Sequence, residues 1–404
     1  MSRFARDAAA MVLARGLSLG FSLTTAIVTA RYLGPDGRGA FFLALTWGAI
    51  ASQAGGFGSP AAVAWLRRHH DVNAGELIGT SAFQAFAGGG LATLLLVGGA
   101  SVLGVGGPRQ LAIWPAIALI AIGTLLLQLI SSLLVADGKV GRYNAVQIAN
   151  SAVTGSCASI AAIVFHEPVP VAYVSAFSGL VTAIGAGLVA WHPFSDRLQI
   201  NLALMRVGAG FSGRIFATGV ASFAAQRVSA IVLATVSNQG QVGYFSIASQ
   251  ISDAIATVPA AIGALLYPRL ISKQKPNWYK TRLTMVWTCA SVAAIAVAIE
   301  LAAPTLLHFL FGERFDAAAI VTRHILPATI LLSACTIVSQ FIAASGAPLG
   351  AVVPWLGSMI VATAYCAIEA PIAGATAAAD SQVAASACAL LGLILIARLL
   401  RRAA

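Results

Sequence analysis

The stretch LAIWPAIALIAIGTLLLQLISSLLV, residues 111–135, runs for 25 residues without a charged side chain. Coiled as a helix at about 1.5 Å per residue, it is long enough to cross a hydrocarbon core about 30 Å thick. It is also too long for a strand and too uniformly apolar for a helix with one face in water. Working outward, and breaking the chain where charges cluster with Gly, Pro or Asn, gives further spans near residues 8–30, 40–66, 76–103, 145–165 and 170–191. The second half reads the same way, with spans near 214–236, 241–267, 283–311, 317–344, 349–369 and 372–396. The sequence therefore predicts an all-α integral membrane protein of about 12 transmembrane helices. Its domains are an amino-terminal six-helix lobe (1–191), a cytoplasmic linker (192–213) and a carboxy-terminal six-helix lobe (214–404).

Composition agrees with this. Apolar residues make up 59% of the 404 and charged residues 9%, where a soluble domain carries about 25% charged. A mean hydropathy of +0.87 leaves no stretch for a sizeable soluble domain, so a soluble enzyme is excluded. The net charge of +11 would point to nucleic acid in a soluble chain. Here its distribution decides instead: with the amino terminus inside, seventeen of the 24 Lys and Arg fall on that side and five on the other. The positive-inside rule then places both termini in the cytoplasm, expected to be that of a bacterial inner membrane, and removes nucleic acid as a partner. The basic connection 268–282 is expected to touch anionic lipid headgroups. All five cysteines fall in apolar stretches, which offers neither a disulfide framework nor a metal site. The first apolar run lacks a clean cleavage site and reads as a retained helix.

A displacement of 204 residues lays Gly39, Phe41 and Ala44 over Gly243, Phe245 and Ala248. A true repeat would give two pseudo-symmetric lobes around a central cavity, the layout of a transporter. No nucleotide-binding loop and no metal-ligand spacing is present, so the sequence offers neither cofactor nor catalytic residues. The informative residues are ionisable ones inside spans, each costing at least about 2.5–3.5 kcal/mol at the bilayer centre unless it faces protein or water. These are Arg15, Arg227, Asp253, Glu300 and Asp380. Arg227, beside Gln226, can offer a planar fork of donors to a phosphate or pyrophosphate, with Asp253 holding it while the site is empty. Two readings stand at this point, since a buried Arg–Asp pair can equally serve helix packing alone. Arg15 can contact ligand or snorkel to the surface. Asp253 and Glu300 are the candidates for coupling or gating. The first six spans contain no interior carboxylate and offer amides such as Gln53, suited to a sugar or to interhelical hydrogen bonds.

Four segments carry a resemblance. They are Thr29-Ala-Arg-Tyr-Leu-Gly-Pro-Asp-Gly-Arg-Gly-Ala-Phe-Phe, the stretch from Gly243-Tyr-Phe-Ser-Ile-Ala to Tyr267-Pro-Arg-Leu, Gly312-Glu-Arg-Phe, and Pro371-Ile-Ala-Gly-Ala-Thr-Ala-Ala-Ala. Together with Leu134–Asn144 they resemble the polysaccharide flippases of the multidrug/oligosaccharidyl-lipid/polysaccharide exporter superfamily. The resemblance implies alternating access and transfer of an isoprenoid-pyrophosphate-linked oligosaccharide, such as an undecaprenyl-linked one, to the outer leaflet. That activity would serve O-antigen or exopolysaccharide assembly beside polymerase and export components. In the family pattern Arg31 closes the first span and Arg227 is the basic residue of the seventh, while Gln226 stands where many relatives have an acid. The alternatives are a multidrug or small-molecule antiporter, expected to show carboxylates in the first lobe, and a glycan polymerase, expected to need a long outer loop.

Overall fold

The computed structural model describes residues 3–69, 72–102, 112–191, 197–271 and 278–403. Twelve α-helices account for nearly all of them: α1 (Arg3–Gly56), α2 (Ser59–His69), α3 (Ala74–Val102), α4 (Trp114–Ala136), α5 (Val140–Phe165) and α6 (Pro168–Ala190), then α7 (Leu202–Val236), α8 (Gln239–Ile271), α9 (Trp278–Phe311), α10 (Ala317–Ala344), α11 (Val352–Ala373) and α12 (Ala375–Ala403). No strand occurs among the described residues. Among the described residues, eleven helical stretches are long and apolar enough to span a membrane, and the first, Leu13–Gly56, holds two spans joined at a kink, twelve in all. This is a multi-pass membrane protein.

The kink has a local cause. Gly34 adopts φ 67°, ψ −178°, a conformation that side chains with a Cβ resist. Pro35 follows, which disfavours helix at the preceding residue and starts the second arm without needing a hydrogen-bonded amide. A second break falls at Phe57 and Gly58, both at positive φ. The carbonyl of Gly56 freed there is taken up by Ser59 Oγ and by Gln84 Nε2, the latter at 3.0 Å, while Phe57 O accepts from Ser212 Oγ at 3.0 Å. Inside a membrane such internal satisfaction is what permits a broken helix.

The chain forms two compact units, one of Met1–Leu33 with Phe41–Phe216, the other of Gly34–Ala40 with Ala217–Ala404. Within the stretch 192–213, expected as a linker, the chain is helical from Leu202 onward, and a Cβ on Gly208 would meet Ala62 Cβ at 3.0 Å. In the first unit α4 is the central element, 67% of its most apolar window buried, with Leu125, Leu129 and Leu133 in one core and Ile117 in another. In the second unit α10 holds that place at 61%, with Val338, Phe341 and Ile342 packed on Leu393 and Ala397. Both are the fourth span of their half.

Alongside these large core residues many small ones are buried, while many large apolar side chains face outward. Ala51, Ala121, Ala162, Ala362 and Ala378 are fully buried, whereas Leu94, Ile160, Leu301 and Ile372 are exposed. That inversion of the soluble pattern is expected where lipid is as apolar as leucine and helix contact depends on close backbone approach. Gly55 and Gly88 show the approach directly, since a methyl on Gly55 would lie 2.5 Å from the Gly88 backbone.

Candidate functional site

The second unit places Arg227 of α7 against Asp253 of α8. Arg227 Nη2 lies 2.7 Å from Asp253 Oδ2, and Nη1 donates to Ser249 Oγ at 3.3 Å. The guanidinium also sits 5.6 Å from the Phe223 ring centroid. The geometry follows from helical spacing: Phe223 and Arg227 are four apart on α7, and Ser249 and Asp253 are four apart on α8, so each pair shares a face. The two sides differ in exposure, the Arg227 side chain at 20% and Asp253 at 48%. The cation is thus held by packing, and its counter-ion is open.

Gln226 is next to Arg227 in sequence but turned by about 100° around the helix. Its Nε2 donates to Ser222 O at 3.1 Å, its carbonyl accepts from Gln382 Nε2 at 2.7 Å, and it lines a small cavity with Ser358, Gln382 and Ser386. It therefore belongs to the interior of the second unit. In the first unit Arg15 and Arg31 are both exposed on the first arm of α1, and Gln53 is half-buried on the second. At 1.5 Å per residue the two arginines lie roughly 24 Å apart along the arm, so they cannot grip one phosphate group together. Glu300 is exposed on α9, one turn before Pro304.

Sequence reasoning missed three features. His324 of α10 and Asp380 of α12 form a pair at 2.8 Å, and His308 likewise meets Asp316 at 3.0 Å. Arg38, in the connection between the first two spans, is 3% exposed and donates to Gln250 Oε1 at 2.9 Å. Around it, residues 34–40 pack on the first turns of α8 in a reciprocal contact. A Cβ on Gly39 would meet Gly243 N at 2.9 Å and Gln239 O closer still, and a Cβ on Gly243 would meet the Pro35 carbonyl carbon at 2.8 Å. The displacement of 204 residues that overlays the two halves carries Pro35 onto Gln239 and Gly39 onto Gly243, so each side of this contact maps onto the other.

A fourth cluster lies outside the spans of the first unit. Asp137 accepts from Arg67 Nε at 2.7 Å and from Lys139 Nζ at 2.8 Å, while Arg67 Nη1 donates to Val72 O at 2.5 Å. Burial pushes the Asp137 carboxyl up, but hydrogen bonds and charge from Arg67 and Lys139 outweigh it and hold it below the ordinary carboxylate range. Among the described residues no group of three or more His, Cys, Asp or Glu is placed to hold a metal ion.

The sequence family described as "Polysaccharide biosynthesis protein" matches residues 4–274, about two thirds of the chain, and the chain belongs to that family. A search of curated proteins finds no match. Among solved structures the chain resembles the lipid II flippase MurJ in an inward closed conformation, at 12% identity and a TM-score of 0.75, covering 95% of this chain and 86% of that one. It also resembles an inward-facing multidrug resistance MATE family transporter of the MOP superfamily, at 14% identity and a TM-score of 0.70, covering 98% and 99%. A MOP superfamily transporter from Pyrococcus furiosus matches at 14% identity and 0.59, covering 98% and 95%. The fold is that of MOP superfamily transporters. Each of these structural relatives is described as a flippase or a transporter.

Proposed function

We propose that this protein is a flippase of the bacterial cytoplasmic membrane. It moves an isoprenoid-pyrophosphate-linked oligosaccharide from the cytoplasmic to the outer leaflet by alternating access, for assembly of a cell-surface polysaccharide. Both termini face the cytoplasm, and the Gly34 turn with the α7–α8 connection faces out. Membership of the polysaccharide biosynthesis family supports the substrate class.

One observation carries the reading: Arg227 sits inside a span with a single half-exposed carboxylate as counter-ion. A guanidinium has five donors in a planar fork, matched to phosphate oxygens. A pyrophosphate brings more negative charge than one carboxylate and displaces Asp253, which then turns to water. When the substrate leaves, Asp253 closes back on Arg227, so the cation is never bare in the membrane. Arg31 supplies a second cation in the amino-terminal half, and Arg15 meets the substrate nearer the cytoplasmic surface. Amides such as Gln53 suit the sugar, and Gln226 supports the α7 backbone next to the site. Asp253 gates the anion site, and Glu300 belongs to coupling.

The test is lipid mass spectrometry on a strain lacking the gene. The lipid-linked oligosaccharide should accumulate, inaccessible from the outer face, and be cleared by the wild-type gene. Arg227→Ala at matched membrane level should leave it accumulated. Wild-type clearance by Arg227→Ala would remove the anion-site assignment. Unchanged lipid-linked intermediates in the deletion strain would overturn the flippase reading and favour small-molecule export.

A further inference from the structure

Among the described residues, two acid-bearing ion pairs of the second unit lie more than one helical turn inside its spans, and they differ in one respect. Asp253 faces Arg227, a permanent cation. Asp380 faces His324, which carries charge only when protonated. His324 lies roughly 10 Å from the start of α10 and Asp380 roughly 8 Å from the start of α12, both measured from the end that carries residues 312–316 and 374. The two side chains are 41% and 38% exposed. Ionisable groups at such depth face water or protein, not lipid.

We propose that His324 and Asp380 form a proton-binding site that couples substrate movement to proton entry from the outer side. His324 Nδ1–H donates to Asp380 Oδ1, which leaves Nε2 to take one proton from the outer aqueous phase and later release it to the cytoplasm. No bond other than N–H is made or broken. Binding changes the site from a net charge of −1 to zero, and in a low dielectric that change biases one conformation over another.

Three consecutive residues of α12 connect this site to the arginine. Asp380 holds His324 of α10. Ser381 Oγ meets Ser229 Oγ of α7 at 2.8 Å, two residues from Arg227. Gln382 Nε2 donates to Gln226 O at 2.7 Å, one residue from Arg227. The start of α12 is also tied to α8, since Ala375 N donates to Gln241 Oε1 at 2.9 Å. A change of charge on the His324–Asp380 pair therefore bears on both helices of the anion site.

Among the described residues, the other charged or titratable groups toward this end of the unit are Asp36 and Arg38 on the turn that packs on α8, Arg323 on α10, Tyr365, Cys366 and Glu369 on α11, Glu300 and His308 on α9 with Asp316, Glu313 and Arg314 before α10, Tyr244 and Asp253 on α8, and Arg227 on α7. Cys366 Sγ lies 3.6 Å from Ser229 O. His308 and Asp316 bond to each other rather than to His324 or Asp380.

This inference rests on the flippase reading for its substrate, so two measurements separate them. The first needs no substrate: amide exchange by mass spectrometry on the full chain in nanodiscs, between pH 5.5 and 8, corrected for intrinsic rates. Protection of residues 222–232 should change with pH in the wild type and stay flat in His324→Gln and Asp380→Asn, with the first unit as the folding control. A wild type without pH response, or variants that keep it, overturns the proposal. The second uses proteoliposomes with undecaprenyl-pyrophosphate-linked oligosaccharide. One proton per cycle makes a gradient of one pH unit, acid outside, worth about a tenfold change in the transbilayer ratio, and both variants should lose that response. Variants that retain it, or a wild type driven by sodium and not by protons, also overturn the proposal. A wild type that translocates nothing refutes the flippase reading, and the exchange data then decide the proton site alone.

Discussion

Replacing Gly39 by alanine puts a methyl group 2.9 Å from Gly243 N and nearer still to Gln239 O. Both neighbours are backbone, so no side chain can swing away, and the Gln239 carbonyl must retreat by more than 1 Å to restore ordinary contact. Overpacking of this kind costs about 1–3 kcal/mol, a roughly 5- to 150-fold change in the ratio of docked to undocked states. Alanine also favours helix over glycine by about 1 kcal/mol, a gain that offsets only the lower end of this cost. The reciprocal geometry sharpens the expectation: Gly243→Ala pushes on the Pro35 carbonyl in the same way and should shift docking by a similar factor. The double variant should shift it by less than the product, because the first methyl has already opened the gap. Oxidative crosslinking of Asp36→Cys to Gly240→Cys reports docking, since a Cβ on Gly240 comes within 3.2 Å of Asp36 Oδ1. A crosslinking rate unchanged by Gly39→Ala, or single variants that differ by more than about tenfold, would refute the reasoning.

Other outcomes follow from the remaining clusters. Asp137→Asn should cost about 1.5–3 kcal/mol by weakening two charge-assisted hydrogen bonds, seen as a lower midpoint in thermal unfolding of the detergent-solubilised protein. Because Asp137 is held below the ordinary carboxylate range, its contribution is complete above about pH 4 and lost as pH falls through the folded value. The asparagine variant should therefore show a shallower loss of stability below that pH, and an identical acid profile would remove the assignment. Arg227→Lys keeps the charge but not the fork, so clearance of lipid-linked oligosaccharide should fall by roughly tenfold or more; full activity would mean that charge alone suffices. Gly88→Val drives a branched side chain into the Gly55 backbone and should lower stability by about 1–3 kcal/mol, while Gly90→Val, where no neighbour lies within 4 Å, serves as the control.

Most span positions were legible because hydropathy is a local property: a charge-free run of 25 residues reports its environment without reference to the rest of the chain. Helix ends were less so. The seventh span, read from residue 214 to 236, matches the apolar stretch Phe216–Val236, but the helix that carries it runs further, from Leu202, which hydropathy does not report because Arg206 and Arg214 make that extension polar. The break at Phe57 and Gly58 went unread, because the Gln84 that satisfies it comes from another helix. Among site residues, Arg227 and Asp253 stood out as charges at mid-depth on consecutive helices, and the structure pairs them. Gln226 was grouped with Arg227 by sequence adjacency, which on a helix separates side chains by about 100°. The pairs His324–Asp380 and Arg38–Gln250 bridge 56 and 212 residues, distances over which periodicity carries no information.

The place of residues 34–40 in the second unit bears on how the protein is made. This turn leaves the ribosome with the first two spans, but the α8 turn that receives it begins only at Gln239. At a synthesis rate of about 5–20 residues per second, the glycines and Arg38 wait roughly 10–40 s for their partner. For that interval a basic side chain destined for burial stays in water, so completion of the second unit is ordered in time by an element that precedes it by some two hundred residues. Slowing translation between the halves would lengthen the exposure of this segment to proteases, and α8 would end it.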